Sequence, residues 1–198
     1  MVATVWTVGH SDHELESFLA LLSRQGVTAV ADLRSEPYSR HAPQFCKQEL
    51  HDALRARGVG YVFLGRELGG RPHGGDCITD GRVDFDKLSH EDVFRAGLDR
   101  LRHGAATHRV ALVCAEKDPL HCHRALLVSR HLRGPMLEVQ HIHADGQVES
   151  HVELERRLLE THGLDVEDLF TPFDRRLEEA YNRQGERVAW RPSAGDVS

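Results

Sequence analysis

Val110 to Val113 are four apolar residues in a row with valine at both ends, and they give way at once to Cys114-Ala-Glu-Lys-Asp-Pro-Leu-His-Cys-His-Arg124. An apolar run without alternation reads as a strand covered on both faces of a parallel sheet. After it, Asp118 offers an N-cap and Pro119 fits a first helical position. Ala125-Leu-Leu-Val128 with Leu132 supplies a helix core face that ends before Gly134-Pro135. The stretch predicts strand, polar turn and helix, the place where open α/β sheets hold their ligands.

The rest of the chain repeats that alternation. Thr4 to Val8 is a buried first strand; Gly9-His10-Ser11 is a turn, with Ser11 and Glu14 spaced as a capping box for a helix carrying Leu15, Phe18, Leu19 and Leu22 up to Gly26. Val27 to Leu33 is a second strand, and Arg34 to Pro43 a polar loop. Pro43 opens a helix with Phe45, Leu50 and Leu54, which Gly58 stops. Tyr61 to Leu64 is a third strand, and the aperiodic Gly- and Pro-rich segment to Asp84 reads as a lid or substrate wall. Val93, Phe94, Leu98 and Leu101 mark a further helix despite Gly97, and Leu137 to Ile142 a fifth strand. Such alternation predicts an α/β fold: a doubly wound, mainly parallel five-stranded sheet with helices on both faces. Residues 1–145 form that domain. Residues 146–190 are a C-terminal helical extension packed on it through Leu154, Leu158 and Leu177, with a last helix capped at Thr171-Pro172 and Asp174. Residues 191–198 are a frayed tail.

Four segments taken together resemble an uncharacterised bacterial and archaeal family, domain of unknown function 488: Thr7-Val-Gly-His-Ser11, Asp32-Leu-Arg-Ser-Glu-Pro-Tyr-Ser-Arg40, Leu64-Gly-Arg-Glu-Leu-Gly-Gly-Arg71 and Cys114 to Arg124. The resemblance spans most of residues 4–145. It implies an α/β domain and brings no established activity with it.

Composition narrows the class. A chain of 198 residues, 40% hydrophobic and 28% charged, is ordinary for one soluble domain. It has no apolar run of membrane-spanning length and no signal-peptide pattern, so a cytoplasmic protein is expected. Four cysteines in that setting are reduced thiols or metal ligands before they are disulfides. A formal charge of −6 argues against the broad positive face of a non-specific DNA binder. The only lysines are Lys47, Lys87 and Lys117, so the positive charge is nearly all arginine, which suits two-point recognition of phosphate or carboxylate.

Parallel strands bring Gly9-His10-Ser11, Asp32 to Arg40, Leu64 to Arg71 and Cys114 to Arg124 to one carboxyl edge. There His10, Ser11, Arg34, Arg40, Arg66, Arg71 and Arg124 make an anion-binding set, with about half of the arginines paired to Asp32, Glu36, Glu67 or Glu116. Tyr38 and Phe45 are candidates to stack on a base. Asp32 and Glu116 are candidate acid and base, and Cys114 a candidate nucleophile before a helix start. The loop departs from the phosphatase and rhodanese pattern, which needs Arg six positions after the cysteine; here that position is Leu120. Cys114, Cys122 and His123, with His10 as a fourth, form a mixed ligand set that zinc accepts, although no cofactor is required by the sequence. The leading reading is an enzyme, a hydrolase or transferase with carboxylate or cysteine chemistry, acting on a phosphate-containing small molecule or a nucleic-acid end. The alternatives are a non-catalytic nucleotide or nucleic-acid binding module and a zinc-dependent protein.

Overall fold

The computed structural model describes residues 2–72, 76–166 and 170–193. Within these, the chain runs β1 (Ala3–Gly9), α1 (Leu15–Arg24), β2 (Ala29–Asp32), a 3-10 turn (Pro43–Phe45), α2 (Lys47–Ala56), β3 (Gly60–Phe63), α3 (Gly65–Leu68), β4 (Ile78–Thr79), β5 (Arg82–Val83), α4 (Phe85–Ser89) and α5 (Asp92–Ala105). It continues with β6 (Val110–Cys114), a 3-10 turn (Pro119–His121), a π-helical segment (Arg124–Ser129), α6 (Arg130–Leu132), β7 (Leu137–Ile142), β8 (Val148–Ser150), α7 (His151–Thr161) and α8 (Phe173–Val188).

The main sheet has the order β3-β2-β6-β1-β7-β8, parallel except for β8, which pairs antiparallel with β7. The two least alternating strands, β1 and β6, are central neighbours, as their composition requires. Side chains alternate between faces. On one face Trp6, Val8, Val30, Ala111 and Val113 pack with Phe18 and Leu22 of α1 and Leu50 and Leu54 of α2. On the other, Val5, Ala31, Leu112 and Val139 pack with Phe94, Leu98 and Leu101 of α5 and with Leu127.

Several expectations change. The sheet has six strands and not five, because the Asp145-Gly146 turn returns the chain as β8 and so carries the sheet past residue 145. The Ser11–Glu14 capping box is absent: Ser11 has φ 46° and donates to Asp12, and Glu14 precedes α1 without a side-chain cap. A capping box is found instead at Ser150 and Glu153, opening α7. Asp118 and Pro119 do cap a turn, Asp118 Oδ1 accepting from Leu120 N at 2.9 Å, but it is a 3-10 turn followed by a π-helix. The last helix starts after Pro172 with no side-chain cap and passes Gly185 to reach Val188. Gly97 fits mid-helix because α5 presses on α3 there; a Cβ would stand 2.8 Å from Glu67 Cβ. The segment read as a lid contains the β4–β5 hairpin, and its residues 73–75 lie outside the described residues, as do residues 194–198 of the expected frayed tail.

Leu154, Leu158 and Leu177 of α7 and α8 pack with Leu120, Ala125 and Leu126. Polar contacts join the same elements: Arg157 donates to Asp118 Oδ2 (2.9 Å) and Glu149 Oε2 (2.9 Å), and Gln184 Nε2 to Leu120 O (2.8 Å). The C-terminal helices thus hold the turn after β6.

A buried hydrogen-bond chain links sheet to helices. Tyr181 donates to Glu155 Oε1 (2.9 Å), which leaves its oxygen to accept from His151 Nε2 (3.0 Å); His141 Nε2 then donates to His151 Nδ1 (2.9 Å), and Thr7 Oγ1 to His141 Nδ1 (2.8 Å). This chain needs both imidazoles neutral. Burial, then the charges of His151 and Arg124, hold His141 well below its ordinary 6.5; burial and Arg133 bring His151 to about 3. The unfolded imidazoles take up protons below 6.5 while the folded ones do not. Stability is therefore full above that pH and falls as pH drops toward 3, by ~1.4 kcal/mol per pH unit for each histidine. Glu116 and His123, whose pKa values are raised, tilt the curve the other way, while His10 and His131, each lowered to about 4, add to the loss. Urea unfolding between pH 7 and 4 should show the net loss; a flat profile would mean that the buried histidines carry protons.

Candidate functional site

Adjacent β2, β6 and β1 end side by side: Gly9 is in register with Cys114, and Asp32 with Val113. Their carboxyl ends open into a cavity of about 380 Å³, whose walls include His10, Arg34, Arg71, Cys114, Glu116, Cys122 and His123. Tyr38, Phe85 and Trp190 complete it on the outer side.

Arg34 is fixed from behind. It is 6% exposed, donates from Nε to Asp32 Oδ1 (2.8 Å) and from Nη2 to Asp32 Oδ2 (2.6 Å), and gives one Nη1 hydrogen to Phe45 O (2.7 Å). Tyr61 also donates to Asp32 Oδ2 (2.8 Å). Burial works against the Arg34 charge, but the hydrogen bonds and charge of Asp32 outweigh it and raise the pKa. Three of the five guanidinium N–H groups are committed, leaving one on each terminal nitrogen without a partner among the described residues. A guanidinium held on a cavity wall with two N–H groups to spare could bind a phosphate or carboxylate.

At the floor, Cys114 and Cys122 are 0% and 2% exposed. Cys114 Sγ lies 3.7 Å from His123 Nε2, Cys122 Sγ 3.8 Å from His123 Nδ1, and one ligand atom from each of the three residues falls within 4.8 Å of the others. A tetrahedron of Zn–S and Zn–N bonds has edges of roughly 3.5–3.8 Å. The gap to be closed is thus about 1 Å at most, within reach of side-chain rotation. This cluster could hold a metal ion. His123 Nε2 also lies 3.3 Å from Leu33 O, which can fix the ring by accepting its N–H and leave Nδ1 as the ligand.

Glu116 Oε2 is 2.8 Å from Cys122 Sγ. Glu116 is an exposed residue lining the cavity, yet desolvation of its carboxyl by the surrounding protein, then Cys122, raises its pKa to about 7. Burial pushes the Cys114 thiol well up. Burial alone would do the same to Cys122, but its contact with Cys114 and the charges of Arg124 and His123 bring it well below a usual thiol. His10, stacked on Phe45 at 4.5 Å, is lowered to about 4 by burial and Arg34, so it is neutral; Nδ1 donates to Ser11 O (3.0 Å) and Nε2 remains an acceptor.

The chain belongs to the family described as domain of unknown function DUF488. The family model matches residues 14–131, which takes in three of the four segments named above and leaves out Thr7 to Ser11. No curated protein and no solved structure matches this DUF488 chain.

The cavity of the DUF488 chain brings together His10, Arg34, Arg71, Cys114, Glu116, Cys122 and His123. Other candidates lie elsewhere. Arg40 and Arg66 are exposed and off its wall, and Ser11 faces Asp12. Asp32 is 0% exposed behind Arg34, and His10 is not one of the clustered ligand atoms. Phe45 is fully buried, whereas Tyr38 is open to the cavity. Arg124 is 0% exposed and not on the wall; Nη1 donates to Glu116 O (2.7 Å) and Nη2 to Lys117 O (3.1 Å), so it braces the loop instead of facing a ligand. Sequence reading missed Val188 and Trp190, because the sequence pattern ends the last helix at about Gln184 and the chain beyond that carries no periodicity. The signal available was Trp190 itself, a large aromatic in a segment otherwise read as the end of the fold.

The bracing explains Gly9. A Cβ there would stand 1.8 Å from Glu116 O and 3.3 Å from Arg124 Nη1. Gly9→Ala must push the 115–117 loop outward and is expected to cost ~1–3 kcal/mol, as overpacking does. Urea unfolding reads this directly; wild-type stability would show that the loop yields freely and that Arg124 does not fix it.

Proposed function

We propose that this chain is a zinc-dependent hydrolase acting on a small phosphate-bearing substrate. What carries the reading is one cavity shared by the Cys114, Cys122 and His123 ligand atoms, the Glu116 carboxyl and the Arg34 guanidinium. Thiolate and imidazole together favour zinc over the harder cations, and three protein ligands leave a fourth position open, the arrangement of catalytic sites. Zinc held there supplies a water acidified enough to act as a nucleophile near neutral pH.

The chain's own residues do the rest. Glu116, beside the cluster and facing the cavity, accepts the proton of the attacking water and returns it to the leaving oxygen. Arg34 presents its two remaining N–H groups to the phosphate, and Arg71 adds a second positive charge from the opposite loop. Asp32 does not touch the substrate in this reading; it is a positioning residue that fixes the Arg34 fork. His10 Nε2, neutral and unprotonated, accepts a hydrogen bond from a substrate hydroxyl.

Elemental analysis of purified protein should give close to one zinc per chain. Cobalt substitution should add thiolate-to-metal absorption that Cys122→Ser and Cys114→Ser abolish and Cys77→Ser keeps. A protein that purifies without metal and binds neither zinc nor cobalt would sink the zinc reading. Glu116→Gln should retain zinc and fold while lowering turnover across a panel of sugar phosphates and nucleotides by ~10²–10⁴. Zinc and phosphate binding with no turnover on any ester of the panel would favour a non-catalytic binding module instead.

A further inference from the structure

One part of the cavity wall is aromatic, with Tyr38 and Phe85 supplied from within the family match and Trp190 from beyond it. Trp190 follows α8, well beyond residue 131, and its carbonyl accepts from Val83 N at 2.9 Å. The indole is half-buried, packing against the core cluster that includes Val83 and Leu88. The Arg71 guanidinium lies over its ring at 5.5 Å, with Arg71 N donating to Ser35 Oγ at 3.0 Å. The Arg71–Glu36 pair is exposed and 3.5 Å apart, so it restrains the side chain weakly. Tyr38 stands on the same cavity with 70% of its surface open. Nucleobases stack on indole and phenol faces and on arginine planes alike.

From this we propose that the Trp190–Arg71 stack, faced by Tyr38, is a nucleobase subsite, and that the substrate is a nucleoside phosphate. The inference rests on the phosphate reading above and adds the substrate's other end. Arg34 holds the phosphate near the ligand cluster, and the base lies outward against Arg71 and Trp190. A cavity of about 380 Å³ is of a size for one nucleotide, and the chain's formal charge of −6 disfavours the backbone of a long strand. Trp190 is then a specificity residue supplied by this chain's C-terminal segment, not by the family domain.

Calorimetry with the metal-loaded full chain tests this, using adenosine, cytidine and guanosine 5′-monophosphates, ribose 5-phosphate, inorganic phosphate and a short 5′-phosphorylated oligonucleotide as probes. Nucleoside monophosphates should bind roughly 10- to 100-fold more tightly than ribose 5-phosphate, the gain of one stacked base. Trp190→Ala should bring that ratio close to one while leaving ribose 5-phosphate affinity unchanged, and Trp190→Phe should keep most of it. Because Trp6 is the only other tryptophan, a Trp6→Phe background makes Trp190 the sole indole. Its emission should be quenched by the nucleoside monophosphates and not by inorganic phosphate. Equal affinity for nucleoside monophosphates and ribose 5-phosphate in the wild type, or an unchanged ratio in Trp190→Ala, would overturn the subsite while phosphate binding stands. An oligonucleotide that binds far more tightly than every mononucleotide would overturn the choice of a free nucleotide. If neither ribose 5-phosphate nor inorganic phosphate binds, and Arg34→Lys changes nothing, the phosphate reading fails and takes this inference with it.

Discussion

A fully buried guanidinium beneath the β1 end decides how the site is arranged. Arg124 donates to the carbonyls of Glu116 and Lys117, and no carboxylate among the described residues forms an ion pair with it. Its Nε has no partner among them either. A buried charge balanced by carbonyl dipoles alone is costly, and an orphaned donor adds ~1–3 kcal/mol. The compensation lies in what its field does next door. Arg124 is among the groups that bring the Cys122 thiol down, so its charge is partly offset whenever that thiol ionises. The bracing of the loop and the chemistry of the cysteine are then two effects of one side chain, and the absence of a Cβ at Gly9 is what gives both of them room.

Topology explains why the parts meet. The chain builds β1, moves outward to β2 and β3, and returns to insert β6 between β2 and β1. Insertion makes three carboxyl ends adjacent, each followed by a polar turn. From β1 comes neutral His10, from β2 the Asp32–Arg34 lock, from β6 the Cys114–Glu116 turn. The same return forces the turn after β6 to be held from outside the sheet, which Arg157 and Gln184 do from α7 and α8. The C-terminal helices therefore position the site without lining its centre.

Much of this was legible in the sequence and some of it was not, for identifiable reasons. Val110 to Val113 and Thr4 to Val8 announce buried parallel strands because burial on both faces leaves no polar alternation, and a mainly parallel α/β sheet follows. The convergence of strand ends follows from parallel order alone. What stays hidden is side-chain commitment. Asp32, Arg34 and Arg124 look alike as charged residues after strands, yet one is a lock, one a fork and one a brace, and only the partners distinguish them. The Ser11–Glu14 pattern matched a capping box, but Ser11 takes a positive φ to give its N–H to Ala115 O, so contact with the β6 loop overrides the local signal. β8 is three residues of mixed polarity, too short for periodicity to mark.

The π-helical segment joins these threads. Between Arg124 and Ser129 the backbone widens, Ser129 Oγ donating to Arg124 O at 2.7 Å, and all six residues are buried. An α-helix beginning at Arg124 would follow one regular geometry, leaving little freedom to aim its first side chain. Widening the first turn is a local deformation that lets Arg124 reach back under Gly9 while Leu126 still packs against α7 and α8 and Leu127 and Val128 stay in the sheet core. Helical regularity is given up where Cys122, His123 and Arg124 must point to three different neighbours within three consecutive residues: Glu116, Leu33 and the Glu116–Lys117 carbonyls. That demand explains why a stretch with an α-helical core pattern does not begin as an α-helix.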